Sequence, residues 1–245
     1  AAAGGKPALV GCAGGVWRGM CSSGSNGSSG VNKRLDEVVK LGIPKQLEDL
    51  VKLDLLEKEN PGRVLQIWME YHKDKDGAVG GVMSRPEYDT FKFRSGKAPM
   101  CLIPVFKGEG HFVVIAQAQS AEAQLGGSIA FLVAHLDDYR ANPTLAQPYL
   151  SLTVYTEILE SKELALVRGE FDIGRLDKGE ASLLLSDVVR SYVNTEFFRH
   201  VNVLNSRPAE FEWEKELALF KEQRAQEPIK VTADEALKEG GVKTE

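Results

Sequence analysis

The sequence predicts an α+β fold: a mainly antiparallel β-sheet of five to six strands flanked by N- and C-terminal helices. Two observations lead there. Apolar residues recur at helical spacing before residue 75 and after residue 177, whereas between about 100 and 171 they form β-branched runs bounded by turns. The links between those runs are also too short for the crossover of a dozen or more residues that parallel strands require.

The elements follow in chain order. Residues 1–32 are rich in Ala, Gly and Ser, carry Lys6 and Arg18, and contain no acid. That composition builds no core and reads as a flexible leader or the remnant of a transit peptide. The first residue is Ala rather than Met, so a processed or truncated terminus is expected. Residues 33–59 read as short helices, with Leu47, Leu50, Val51 and Leu55 at helical spacing. Asn60 and Pro61 then make an N-cap and a first helical residue, because proline's missing N–H would be unpaired there in any case. Val64, Ile67, Trp68 and Tyr71 form one apolar stripe, and Gly77 lies beyond the helix end.

A short strand is expected at 78–83. Ser84 and Glu87 stand in capping-box spacing, which places a helix start there. Three strands follow at 100–106, 111–119 and 128–136. The first two are joined by the "KGEG" turn, and Pro104 points to a bulge or an edge position. Two more strands are expected at about 150–157 and 164–171. Asp177 and Glu180 cap a helix with the stripe Ala181, Leu184, Leu185, Val188 and Tyr192, which runs on into "FFRHVNVLN". A last helix begins near Pro208 and uses Trp213, Leu217 and Phe220. The charged residues 223–245 read as a flexible tail.

Composition narrows the function. The net charge of −5 gives no basic face for nucleic acid. No apolar run reaches the ~18–20 residues of a membrane span. Three cysteines do not make a disulfide framework, and four histidines without ligand spacing give no metal site. No cofactor is implied.

The richest chemistry lies in "YLSLTVYTEILESKELALVRGEFD", residues 149–172. Strand alternation puts Leu164, Leu166, Arg168, Glu170 and Asp172 on one face, with Tyr155 and Glu157 on the neighbouring strand. A hydrolase or transferase could use a carboxylate pair near Glu157 and Glu170. The same residues also describe a solvated sheet face with mutually paired charges. The sequence has no G-x-S-x-G elbow, no H-E-x-x-H and no P-loop, and no catalytic residue is assigned.

The blocks "IWMEYHKDKDGAVGGVMSRPEYDTF", "QPYLSLTVYTEILESKELALVRGEFD" and "NSRPAEFEWEKEL" resemble the mitochondrial ATP synthase assembly factor 1 family. The matching features are Trp68 and His72 on a helix, Tyr155-Thr156-Glu157 at a strand end, Arg168-Gly169-Glu170 with Asp172, and Ser206-Arg207-Pro208 with Phe211. They cover roughly residues 60–220, so an assembly-factor domain is expected at 60–222. The resemblance implies a chaperone rather than an enzyme. It would bind the free β subunit of the ATP synthase catalytic head in the mitochondrial matrix, keep it from aggregating, and give way to the α subunit. A monomer is expected, a plastid destination stays open, and a structural subunit of a larger complex is the further alternative. Tyr155, Glu157, Arg168 and Glu170 are expected to contribute to partner recognition, on the premise that they are exposed.

Overall fold

The computed structural model describes residues 44–119 and 128–226. The expected leader, the helical reading of 33–43 and the tail beyond 226 lie outside the described residues. Among the described residues the fold is a six-stranded antiparallel sheet packed by helices on both faces, which bears out the predicted class.

A 3₁₀ turn at Leu47–Asp49 and a single helical turn, α1 (Leu53–Leu56), lead into α2 (Pro61–Lys73). In this first segment Leu47 and Leu56 are buried while Leu55 is exposed, so the apolar register differs from the expected one. Helix α2 starts as predicted: the Asn60 side chain accepts from the Arg63 N–H and Pro61 takes the first helical position. Strand β1 (Ala78–Ser84) runs into α3 (Arg85–Lys97), whose capping box pairs Ser84 with Glu87. The hairpin β2 (Met100–Lys107) and β3 (Gly110–Gln119) turns at Gly108, which has φ +57 at the first position of a two-residue turn. Strand β4 (Ile129–His135) is followed by α4 (Leu136–Ala141), then β5 (Pro148–Tyr155), α5 (Leu159–Lys162) and β6 (Leu164–Phe171).

The C-terminal helices are α6 (Lys178–Val193), α7 (Thr195–Ser206) and α8 (Trp213–Gln226). Helix α6 does not continue into "FFRHVNVLN". Asn194 is extended (ψ 132) and its side chain accepts from the N–H groups of Glu196 and Phe197, so it ends one helix and caps the next. Helix α8 runs to Gln226, past the expected start of the tail, because Arg224 pairs with the buried Asp187 on α6.

The sheet order is β1-β6-β5-β4-β3-β2, so the strands nearest the two ends of the chain's sheet region, β1 and β6, pair with each other. The edges are β1 and β2. One face carries the main core, in which α3, α6 and α7 cover Ile103, Phe131, Leu152 and Val167. On the other face α2 and the 47–56 segment cover Tyr155 and Leu166, and Leu136 and Leu204 cover Leu102 and Ile115.

Candidate functional site

The residues singled out in the sequence meet where α2 crosses β1 and β6. Pairing of Gly80 with Arg168 and of Thr153 with Arg168 puts β1, β6 and β5 side by side at this point. Trp68, one turn before His72 on the same helical face, donates its Nε1–H to Val167 O at 3.0 Å. His72 Nδ1 lies 2.8 Å from Trp68 O, and Arg168 Nη1 lies 2.8 Å from His72 Nε2. Arginine only donates, so Nε2 must accept and Nδ1 carries the proton that Trp68 O receives. Burial pushes the His72 pKa down to about 4, with the bond to Trp68 O opposing the shift and the Arg168 charge adding to it. His72 is therefore neutral near pH 7.

Arg168 Nη2 donates to Glu170 Oε1 at 3.0 Å, and Lys45 Nζ donates to the same oxygen. Tyr155 OH donates to Lys45 O at 2.9 Å, and burial raises its pKa. Lys178, at the start of α6, donates to the carbonyls of His72, Lys73 and Lys75. It thereby satisfies acceptors at the C-terminal end of α2, where a cation is also favoured by the helix dipole. The network ties the segment before α1, helix α2, two strands and α6 into one unit.

Burial corrects the premise made from the sequence. Alternation does place Leu166, Arg168 and Glu170 on one face, but that face is covered by α2 and the 47–56 segment rather than solvated. Tyr155 is 2% and Arg168 5% exposed, Glu170 is half-buried, and only Glu157 is exposed. Arg168 pairs with Glu170 as expected, whereas Glu157 lies beyond the end of β5. Arg168 Nε is buried without a partner, a cost that the pairing of both Nη atoms offsets. Lys45, Trp68, His72 and Lys178 are the members that residue-by-residue reasoning did not assign to the site. The signal for His72 was its i, i+4 spacing from Trp68, and the signal for a close approach was the pair Gly80-Gly81 inside a strand.

A second buried polar group lies between α6, α7 and α8. Asp187 pairs with Arg190 and Arg224. Glu216 is 2% exposed, and its Oε2 lies 3.3 Å from His200 Nδ1 without the alignment of a hydrogen bond. Burial raises the Glu216 pKa to about 8 and lowers that of His200, so the two face each other as neutral groups near pH 7. This raised carboxyl is far in sequence from Glu157 and Glu170, where a hydrolase would need it. A groove of about 400 Å³ is lined by Gly81, Val167, Leu185, Val189 and Val193 and includes neither glutamate.

With this geometry in hand, comparison with known proteins is decisive about kinship. The family profile described as ATP11 protein matches residues 25–217. The chain belongs to the ATP11 protein family. Among curated proteins it is similar to "ATP synthase mitochondrial F1 complex assembly factor 1" of Danio rerio, with 23% identity over 169 residues, 68% of this chain and 53% of the relative. It is also similar to the Homo sapiens protein of that name, with 24% identity over 171 residues, 69% of this chain and 49% of the relative. The chain thus spans about half the length of the curated relatives it matches. The resemblance read from the three sequence blocks is borne out.

Proposed function

We infer that this ATP11 family member is an assembly chaperone for the F1 part of the mitochondrial ATP synthase. It binds the free β subunit in the matrix, prevents its aggregation, and is displaced by the α subunit. The observation that carries this reading is the family match over residues 25–217, which takes in all six helices and all six strands of the 60–206 region together with the Trp68–His72–Arg168–Glu170 network. The physical need is plain. An unassembled subunit exposes an apolar face that its neighbour would cover, and such faces aggregate. A holder must cover that face and still yield to a larger interface.

In this reading the protein works as a monomer, without cofactor or catalysis. Of the four residues expected at the partner surface, Glu157 is exposed and able to touch a partner, while Tyr155, Arg168 and Glu170 act by holding the scaffold.

The test mixes purified protein with isolated ATP synthase β subunit under conditions where β alone precipitates, follows light scattering, and then adds α. The expected result is suppressed scattering at near-equimolar protein and release of β when α arrives. Unchanged scattering at several-fold excess would remove the holding function.

A further inference from the structure

The two edges of the sheet are finished differently. In the β1–β6 pair, Phe171 N–H donates to Gly77 O and Arg85 N–H to Glu163 O, each at 2.9 Å. Antiparallel pairing alternates, so odd-numbered residues of β1 turn their backbone groups to β6 and even-numbered ones turn outward. Ser84 confirms the parity, because its N–H is taken by Glu87 Oε2 at 2.8 Å on the outer side. The outward N–H and C=O groups of Gly80 and Val82 have no partner among the described residues, and both residues are only half-buried.

Strand β2, by contrast, is capped at its first residue and interrupted at Pro104. Ala118 N–H donates to Pro99 O, so the outward residues of β2 are the even-numbered ones. Met100 N–H and C=O are both bound by the Asn205 side chain, at 3.1 and 2.6 Å, which imitates a neighbouring strand. Pro104 falls at an outward position, where it removes a donor without costing a ladder bond.

Beside the open edge lies the groove between β1 and α6, walled by Val167, Leu185, Val189 and Val193. A strand laid along β1 would exchange backbone hydrogen bonds with Gly80 and Val82 and send alternate side chains into this groove. We propose that β1 is a strand-acceptor edge, and that its occupant is an extended segment of the unassembled β subunit. This rests on the chaperone reading. Backbone complementarity selects an extended chain over a helix. Size selects a transient client over a permanent second copy: seven residues of edge with one groove support an interface below about 1,200 Å², in the range of weak encounters. Such a contact is the kind that a larger α–β interface can displace.

The experiment is residue-resolved amide hydrogen exchange on the full chain, alone and with isolated ATP synthase β subunit, together with Val82→Pro and Val189→Lys. Val82→Pro removes an outward donor but no β1–β6 bond, and Val189→Lys puts a charge in the groove without touching the sheet. The expected result is about tenfold or greater slowing of exchange at Gly80 and Val82 on adding β, with the Met100 amide unchanged. Both variants, folded by circular dichroism, should bind β at least about tenfold more weakly. A complex that leaves the Gly80 and Val82 amides unaltered overturns the strand-acceptor edge and leaves the chaperone reading standing. The absence of any complex overturns both. Protection already present without β also overturns the proposal: if it depends on protein concentration the occupant is a second copy, and if it vanishes on deleting residues 1–43 or 227–245 the occupant is the chain's own end.

Discussion

A methyl group at Gly80 would lie 2.6 Å from His72 Nδ1 and 3.2 Å from Trp68 Nε1, while one at Gly81 would press on the Leu185 Cδ2 methyl at 3.1 Å and make ordinary contact with Val167 Cβ at 3.8 Å. The two glycines are adjacent in sequence and face opposite layers, so they separate two kinds of close approach. The imidazole is held at both nitrogens, by Trp68 O and Arg168, and cannot step aside without breaking a buried hydrogen bond. The end of a leucine side chain can shift. Gly80→Ala is therefore expected to lower stability by about 2–3 kcal/mol, and Gly81→Ala by less than about 1 kcal/mol. Urea midpoints at constant m-value would measure both; equal costs would mean that His72 is not the fixed wall described here. The glycine pair was visible in the sequence as a break in the strand pattern. Which side chain each glycine admits was not, because His72 arrives from the preceding helix and Leu185 from about a hundred residues further on.

At the scale of elements, what the sequence disclosed were the features with local causes. The Ser84–Glu87 and Asp177–Glu180 capping boxes, the Asn60 cap and the "KGEG" turn each depend on residues two to four apart, and all four form as expected. Helices α4 and α5, of six and four residues, are too short to show a period. The break at Asn194 was hidden because Val193 and Phe197 keep the apolar spacing going across it. The pairing of β1 with β6 and the capping of β2 by α7 had no local signal at all. Asn205 makes the latter testable. Its amide bonds both backbone groups of Met100 and also Val201 O. Asn205→Ala should therefore expose one donor and one acceptor on an edge strand, cost about 1–3 kcal/mol, and make the protein more prone to edge-to-edge association. Faster exchange of the Met100 amide, with a new concentration dependence in light scattering, is the expected signature. An unchanged amide would show that α7 shields the edge without Asn205.

For the molecule as a whole, two buried groups on opposite sides of the sheet give stability a pH dependence with opposing limbs. His72 in the folded chain refuses a proton until about pH 4, while in the unfolded chain it accepts one near 6.5. The unfolded state binds more protons between these values, so this contribution is complete above pH 6.5 and is lost as pH falls to 4. Glu216 acts in the other direction. Folded, it keeps its proton to about pH 8; unfolded, it releases it near 4.5. Its contribution is complete below pH 4.5 and is lost as pH rises through 8. The two slopes oppose each other between 4.5 and 6.5, and from 6.5 to 8 Glu216 acts without His72. Across that last interval unfolding free energy should fall by about 1–2 kcal/mol. Glu216→Gln keeps the shape and a neutral donor toward His200 but cannot ionise, so it should flatten the fall while leaving in place the acid limb, to which His72 and the lowered His200 both contribute. Urea unfolding at half-unit steps from pH 4 to 8.5 reads both limbs in one series. A wild-type slope that persists in Glu216→Gln would assign the alkaline limb to another group and leave Glu216 ionised in the fold, paired in some way that its 3.3 Å approach to His200 does not provide.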